Sequence, residues 1–155
     1  MLSLEQMLLR LAIGIVLGAL IGLEREMVGK EAGVRTGMMV AAGATIFTMV
    51  GLILPYLISL SPENLAEVLA RNSGFLGVIA NIVVGIGFLG AGVIVKSEER
   101  VKGLTTAATI WFMAAIGILV GLGLLNFAVI STLISVFILI LLRKINLYKW
   151  IGKKD

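Results

Sequence analysis

The sequence predicts an all-α integral membrane protein with five transmembrane helices, and three observations lead to that prediction. First, 59% of the 155 residues are hydrophobic and 14% are charged, whereas about a quarter of the residues in a typical soluble domain are charged. Second, the chain contains charge-free runs long enough to cross a bilayer as helices. Third, the basic residues cluster at alternate ends of these runs, as membrane topology requires.

The first predicted helix covers Met7–Leu23, a run of 17 residues that contains Arg10. Because a long basic side chain near the end of a span can reach the lipid headgroups, we count this run as a crossing. A cleaved signal peptide is the alternative, but no basic residue precedes the run and it exits into "LERE", which is no small-residue cleavage site.

The remaining runs predict four further helices. Gly37–Leu60 and Asn72–Val95 are each 24 residues long, which exceeds the roughly 20 residues of one crossing. Gly103–Leu142 has 40 charge-free residues, and "GLGLLN" at 121–126 places Gly and Asn near its middle. Since Gly and Asn favour tight turns, we divide this run into a fourth and a fifth helix.

The distribution of Lys and Arg predicts the orientation. The loop Glu24–Arg35 has three, Lys96–Lys102 has three and the tail from Arg143 has five, whereas the opposite side has only Arg10 and Arg71. By the positive-inside rule the N-terminus lies outside and the C-terminus is cytoplasmic. An unbroken fourth helix would place the basic tail on the wrong side.

Two regions follow from this topology. Residues 1–142 form the transmembrane domain and 143–155 form a basic cytoplasmic tail, in which Tyr148 and Trp150 stand among lysines. Aromatic and basic residues together favour an interfacial anchor on anionic lipid. The excess of basic residues is therefore explained by topology, and no nucleic-acid partner is expected.

Small residues predict how the helices meet. Gly14, Gly18 and Gly22 form a double GxxxG motif in the first helix, which allows another backbone to approach closely. The second helix has one continuous small face, and the many glycines of the third predict packing on several sides. Since five helices expose more glycine faces than one bundle can bury, we expect a homodimer. The face of the second helix comprises Gly37, Ala41, Ala44, Thr48 and Gly51.

Several classes of chemistry are excluded. The chain has no Cys and no His, so thiolate zinc sites and Cys or His nucleophiles do not occur. "GIGFLG" at 85–90 matches the dinucleotide-binding pattern, but it lies inside a predicted span and not in a βαβ unit. With no phosphate-binding loop and no pair of nucleophile and base, we do not expect an enzyme.

Six charged residues lie in "GLEREMVGKEAGVRTG", 22–37, between the first two helices. Its carboxylates and guanidinium groups can pair with one another at the surface. They can equally bind a hydrated Mg²⁺ ion, which needs one or two carboxylates, and Glu24 is then the best candidate ligand. No other cofactor is indicated. The candidate residues are Glu24, Arg25, Glu26, Arg35 and Thr36.

A weak internal similarity suggests a repeat. "LGALIG" followed by "GVRTG", from Leu17, resembles "LGAGVI" followed by "GLTTA", from Leu89. Each is a helix end, a charged loop and the start of the next helix. The pattern is consistent with a parallel repeat of the first helix hairpin in the second, as in some transporter folds.

Four motifs, "GALIGLERE", "AGVRT", "GIGFLGAGVIV" and "VKGLTTAATIW", extend over Gly18–Trp111. Together they resemble the N-terminal transmembrane domain of the MgtC/SapB family, whose members often continue into a soluble C-terminal domain. The resemblance implies a small multi-pass protein of the bacterial cytoplasmic (inner) membrane, linked to Mg²⁺ homeostasis and adaptation to low Mg²⁺. It further implies regulation of another membrane complex, with the F-type ATP synthase as the leading proposal.

The resemblance also assigns the family's motif positions to this chain. Asn81 stands where the family pattern has a glutamine, and we predict that its amide faces the bundle because lipid would leave it unsatisfied. The motif positions are Gly18, Gly22, Glu24, Arg25, Gly33, Arg35 and Thr36 in the first hairpin and Gly85, Gly87, Gly90, Gly92, Gly103, Thr105 and Thr106 in the second.

Two functions remain open. One is a regulator that acts through helix contacts with itself and with a larger membrane complex. The other is a transporter or channel for Mg²⁺ or another cation or small solute. A conduit needs one continuous polar groove, whereas a packing module should have occluded glycine faces. The predicted route is lined by Glu24, Asn81, Thr105, Thr106 and Thr109.

Overall fold

The computed structural model describes residues 2–59, 65–68, 70, 74–96 and 100–145. Most of them lie in five long helices, and 65–68 are also helical. The predicted interfacial anchor at Tyr148 and Trp150 lies outside the described residues, as does Arg71. The helices are α1 (Leu4–Met27), α2 (Val34–Ile58), α3 (Gly74–Val93), α4 (Leu104–Leu122) and α5 (Leu125–Ile145).

Four of these helices, α1, α2, α4 and α5, are long and apolar enough to cross a membrane. The apolar stretch of α3, Gly77–Val93, is shorter. The predicted break within 121–126 is confirmed, because α4 ends at Leu122 and α5 begins at Leu125. The described chain is therefore a predominantly helical protein with the character of a membrane protein.

The all-α prediction did not include a short β-ribbon that connects α3 to α4. There β1 (Val95–Lys96) pairs antiparallel with β2 (Val101–Lys102), with Val95 opposite Lys102. β-branched valines favour extended backbone, but strands of two residues are too short for alternation to reveal them. Gly103 then turns the chain into α4 with a φ of +86°, a conformation that favours glycine.

Local hydrogen bonds explain where α1 begins and ends. Ser3 Oγ accepts from the Gln6 amide at 3.3 Å, and Gln6 Oε1 accepts from the Ser3 amide at 3.1 Å, so a capping box starts the helix before the predicted apolar run. At the other end Gly29 adopts a φ of +64°, and the Lys30 amide donates to the Arg25 carbonyl at 3.1 Å. This is a Schellman motif, which stops the helix and reverses the chain.

The turn between α4 and α5 has the same construction. Gly123 has a φ of +86°, and the Leu124 amide donates to the Leu119 carbonyl at 2.9 Å. Arg10 Nη1 of α1 donates to the carbonyl of Gly121 at 2.7 Å. Because the last carbonyls of a helix are unpaired and carry the negative end of its dipole, Arg10 binds within the protein, where the sequence had predicted contact with headgroups.

The core lies between α1, α2 and α4. α1 packs antiparallel on α2, whereas α2 and α4 run parallel, since Ala41 lies against Gly117 and Thr48 against Gly121. Ile21, Met113 and Ile116 are among the fully buried side chains of this core. The α1–α2 loop, the β1–β2 ribbon and the end of α5 consequently lie at one end of the bundle, which we term the basic end.

α3 lies at the periphery, where the predicted packing on several sides is wrong for a single chain. A side chain added at Gly90 would touch Ala107 of α4 at 3.5 Å, but at four other glycines it would meet nothing within 4 Å. Phe88 of the same helix is 86% exposed. α3 packs mainly against α2 and α4, and one of its faces has no close neighbour among the described residues. The four glycines are Gly77, Gly85, Gly87 and Gly92.

Candidate functional site

The glycines of α1, Gly14, Gly18 and Gly22, lie in close contact with α2, and we term this line of contact the glycine seam. A Cβ added at Gly18 would collide with the Gly37 carbonyl, and one at Gly22 would lie 2.6 Å from the Gly33 carbonyl. At Gly14 the neighbour is the hydroxyl of Thr45, also at 2.6 Å. The two backbones are therefore in direct contact, and the close packing predicted from the double GxxxG motif is confirmed.

Glu24 and Arg25 form a buried ion pair at the basic end of α1. Arg25 Nη1 lies 3.5 Å from Glu24 Oε2, and each residue is only 5% exposed. Within the described part of the chain the pair is nevertheless incompletely satisfied, since Glu24 Oε2 and Arg25 Nε have no hydrogen-bond partner there. Of the two interpretations of the charged cluster, this geometry corresponds to mutual pairing.

A cavity of about 470 Å³ opens beside this pair, and we term it the α1–α5 cavity. It lies between the end of α1 and the last turns of α5. Its walls combine one carboxylate, three cationic side chains and three apolar side chains. The lining residues are Glu24, Arg25, Met27, Val28, Lys30, Leu139 and Arg143.

Glu26 points elsewhere and caps α2. Its Oε2 accepts from the amide of Val34 at 3.0 Å, so a carboxylate occupies the positive end of the α2 dipole. Gly33 lies directly beneath, because a Cβ there would be 2.6 Å from the same oxygen. Glu26, Gly33, Arg35 and Thr36 line a second cavity of about 380 Å³. The structure therefore separates Glu24 and Arg25 from the rest of the predicted charged cluster.

Asn81 lines an apolar groove of about 420 Å³ between α2 and α3. Its side chain is exposed and makes no hydrogen bond to another described residue, although the sequence had predicted that it faces the bundle. Gly85, one turn further along α3, lines the same groove. Asn81 also borders a smaller cavity of about 250 Å³ near Pro55.

The threonines of α4 lie on another side of the bundle. Thr106 and Thr109 are buried, whereas Thr105 is exposed. Thr109 Oγ1 donates to the Thr105 carbonyl at 2.7 Å, so its hydroxyl is satisfied within the helix. Thr105 and Thr109 border an apolar cavity of about 260 Å³ between α1, α4 and α5, which we term the apolar crevice.

The other glycines of the second hairpin have separate roles. Gly103 forms the turn into α4, where a Cβ would collide with the Val93 carbonyl. Gly90 faces α4, whereas no atom of the described residues lies near enough to Gly87 or Gly92 to touch an added Cβ. The predicted polar residues are thus distributed over several cavities, and the described residues do not bring them together in one groove.

Sequence reasoning missed the matching face of α4. Gly117 and Gly121 lie against α2, where a Cβ at Gly121 would be 2.5 Å from Thr48 Cβ. The Thr45 hydroxyl is within 2.8 Å of the Ala41 carbonyl and 3.0 Å of the Gly117 carbonyl, which links α2 to α4. The signal was visible, because Gly117 and Gly121 form a further GxxxG motif.

Comparisons with known proteins identify relatives of this chain. The sequence model of the MgtC family matches residues 11–148. "Protein MgtC" of Salmonella typhimurium (strain LT2) is 41% identical over 137 residues, which are 88% of this chain and 52% of that protein. "Protein MgtC" of Brucella abortus (strain 2308) is 40% identical over 133 residues, 86% of this chain and 50% of that protein.

The chain spans about half the length of these curated relatives. No solved structure matches it. The family match begins within α1 and covers the rest of the first helix hairpin, the charged loop, the glycine seam, the second hairpin and α5. The chain therefore belongs to the MgtC family.

Proposed function

We propose that the chain crosses the bacterial cytoplasmic membrane five times, with its N-terminus outside and its basic end in the cytoplasm. The collection of the charged loop, the ribbon and Arg143 at one end supports this topology. The parallel repeat belongs to the same proposal, since α1–α2 and α3–α4 are both antiparallel hairpins and α2 runs parallel to α4. Their connections differ, one a Schellman turn and the other a β-ribbon.

Within that membrane the chain acts as a regulator in the response to low Mg²⁺ that the family resemblance implies. It does so through helix contacts with another membrane complex, of which the F-type ATP synthase is the first candidate. It is not an enzyme and holds no resident cofactor in this account. One observation supports this function above others: the glycine faces of α1, α2 and α4 are occluded by the neighbouring helices, while the predicted polar residues lie in separate cavities.

The unpartnered face of α3 supplies the contact surface for self-association. Its open glycines permit a second helix to approach closely, and the exposed Asn81 amide can pair across such an interface. A carboxamide in hydrocarbon needs a partner. A homodimer through α3 provides a hydrogen-bond partner for the Asn81 amide and buries the open glycines of α3 at the same time.

A transporter or channel is the second candidate. The observation that favours it is the same exposed carboxamide, because Asn81 is a polar group in an otherwise apolar groove of about 420 Å³. A conduit would require this groove to continue toward Glu24. Thr105 and Thr109 instead border the apolar crevice, on the other side of α4.

The regulatory proposal is tested by co-reconstituting purified F-type ATP synthase with and without this chain. We expect slower ATP-driven acidification of the vesicles when the chain is present, at unchanged passive proton leak. The matched control replaces the chain with an unrelated five-helix membrane protein at the same protein-to-lipid ratio. Equal acidification rates in all three preparations would remove ATP synthase as the partner.

A further inference from the structure

The α1–α5 cavity has a charge composition that favours an anion. Three cationic side chains, Arg25, Lys30 and Arg143, line it together with a single described carboxylate, Glu24. That carboxylate already faces Arg25 Nη1 at 3.5 Å. Two positive charges therefore remain uncompensated among the described lining residues.

An unsatisfied buried donor points to the same class of ligand. Arg25 is 5% exposed, and its Nε has no hydrogen-bond acceptor among the described residues. A buried N–H group without an acceptor is unfavourable, and arginine presents its donors in the fixed, planar arrangement that matches phosphate oxygens. Since the Arg25 side chain lines the cavity, its guanidinium is suited to bind an oxyanion there.

The position of the cavity indicates that its ligand also has an apolar part. It lies at the basic ends of α1 and α5, two helices long enough to cross a membrane, where lipid headgroups meet the protein. Leu139 lines both this cavity and the apolar crevice between α1, α4 and α5. A polar cavity at headgroup depth therefore adjoins an apolar one that extends into the bundle.

We propose that the α1–α5 cavity binds an anionic phospholipid, with the headgroup phosphate against Arg25, Lys30 and Arg143 and an acyl chain along Leu139 into the apolar crevice. A divalent cation does not fit, because its only described carboxylate ligand is already paired with a guanidinium. Free phosphate does not fit as well as a phospholipid, because it has no apolar part to fill the apolar crevice. This inference is independent of the regulatory function, since a lipid can bind a regulator and a transporter alike.

The test measures lipid retention by native mass spectrometry of the purified chain, titrated with phosphatidylglycerol or phosphatidylcholine. We expect wild type to retain one phosphatidylglycerol per chain in preference to phosphatidylcholine. Arg143→Gln should weaken that retention about fivefold, the ratio that corresponds to roughly 1 kcal/mol for one basic residue near anionic lipid. Arg35→Gln is the matched control, because it removes the same charge at the same end but outside the α1–α5 cavity, and it should retain the lipid.

A second variant removes the buried donor without leaving a buried charge. In Glu24→Gln with Arg25→Gln both partners are neutral, so the fold is retained, and phosphatidylglycerol retention should fall at least as far as in Arg143→Gln. Equal loss in Arg35→Gln, or equal retention of both lipids by wild type, would overturn the proposal by showing that only surface charge matters. Displacement of phosphatidylglycerol by millimolar inorganic phosphate would overturn it as well, because the site would then be one for the free anion.

Discussion

At the scale of single residues, the buried pair Glu24 and Arg25 leads to a prediction about stability. Each is only 5% exposed, so removing one charge leaves the other buried without compensation. We expect Glu24→Gln to reduce the free energy of unfolding by about 3 kcal/mol, and the double variant Glu24→Gln with Arg25→Gln to be more stable than either single variant.

Unfolding of all three variants in mixed micelles, with increasing sodium dodecyl sulfate and detection by circular dichroism, measures these differences. Glu31→Gln is the control, because Glu31 is an exposed carboxylate of the same loop and its loss should change stability little. Additive losses in the double variant would contradict a coupled pair.

The glycine seam gives a second prediction at this scale. A methyl group at Gly18 would collide with the Gly37 backbone carbonyl, so Gly18→Ala should destabilise the protein by about 1–3 kcal/mol. Gly43→Ala in α2 is the control, since no atom of the described residues lies within 4 Å of an added Cβ there and Ala is the better helix former. Thermal unfolding of both variants in detergent provides the comparison, and equal stability would show that the seam is not tight.

For single residues, the sequence identified which residues are closely packed or charged more readily than which groups they contact. It found the close approach at Gly18 and the charged residues Glu24 and Arg25. It did not reveal that Glu26 has a different partner from Glu24. The Glu26 carboxylate accepts a hydrogen bond from the amide of Val34, at the start of another helix. It placed Arg10 among headgroups, since the acceptor, the Gly121 carbonyl, lies 111 residues away in the chain.

At the scale of helices, Arg10 connects the ends of α1 and α4. Its hydrogen bond of 2.7 Å to the Gly121 carbonyl stabilises the end of α4, where the helix dipole is negative. Arg10→Gln should therefore reduce the free energy of unfolding by about 1.5–3 kcal/mol, the range for hydrogen bonds to charged groups. Faster amide hydrogen exchange should be confined to the last turn of α4.

Arg35→Gln is the control for that prediction, because Arg35 is exposed at the opposite end of the bundle. Its exchange pattern at α4 should match that of wild type. Unchanged exchange in both variants would mean that the hydrogen bond does not persist in the membrane.

The helices themselves were largely predictable. Runs of apolar residues predicted all five, and the Gly and Asn of 121–126 predicted the break between α4 and α5. Helix α4 stops just before Gly123 because this glycine adopts a left-handed backbone conformation. Composition alone does not reveal that conformation. The β1–β2 ribbon was missed because its two pairs of residues resemble an ordinary charged loop.

At the scale of the whole molecule, the exposed face of α3 leads to a prediction about assembly. The chain has no cysteine, so a single introduced thiol reports one contact. In a homodimer through α3, Phe88→Cys should form a disulfide-linked dimer when membranes are treated with a mild oxidant. Phe88 is 86% exposed, and Phe137 of α5 is comparably exposed at 63%.

Phe137→Cys is therefore the matched control, and it should remain mainly monomeric on a non-reducing gel. Cross-linking that is equally efficient at both positions would indicate random collision in the bilayer. Cross-linking at Phe137→Cys alone would place the interface on α5 instead of α3.

The site could be predicted less well than the fold for a physical reason. The α1–α5 cavity joins Arg25 to Leu139 and Arg143, and no local pattern relates residues so distant in sequence. The same holds for the matching faces of α2 and α4, where Ala41 meets Gly117. Local periodicity specifies which face of a helix is small, but only tertiary packing determines which face it meets.

The central claim is that this chain binds partners and does not conduct ions. The most direct measurement is Mg²⁺ flux into liposomes that contain the purified protein and a Mg²⁺-sensitive dye, with an ionophore added at the end to confirm intact vesicles. Proton flux is measured in parallel, and Glu24→Gln and Asn81→Ala are compared with wild type. We predict uptake equal to that of protein-free liposomes for all three proteins. Saturable uptake by wild type that either variant abolishes would contradict the account and identify a conduit.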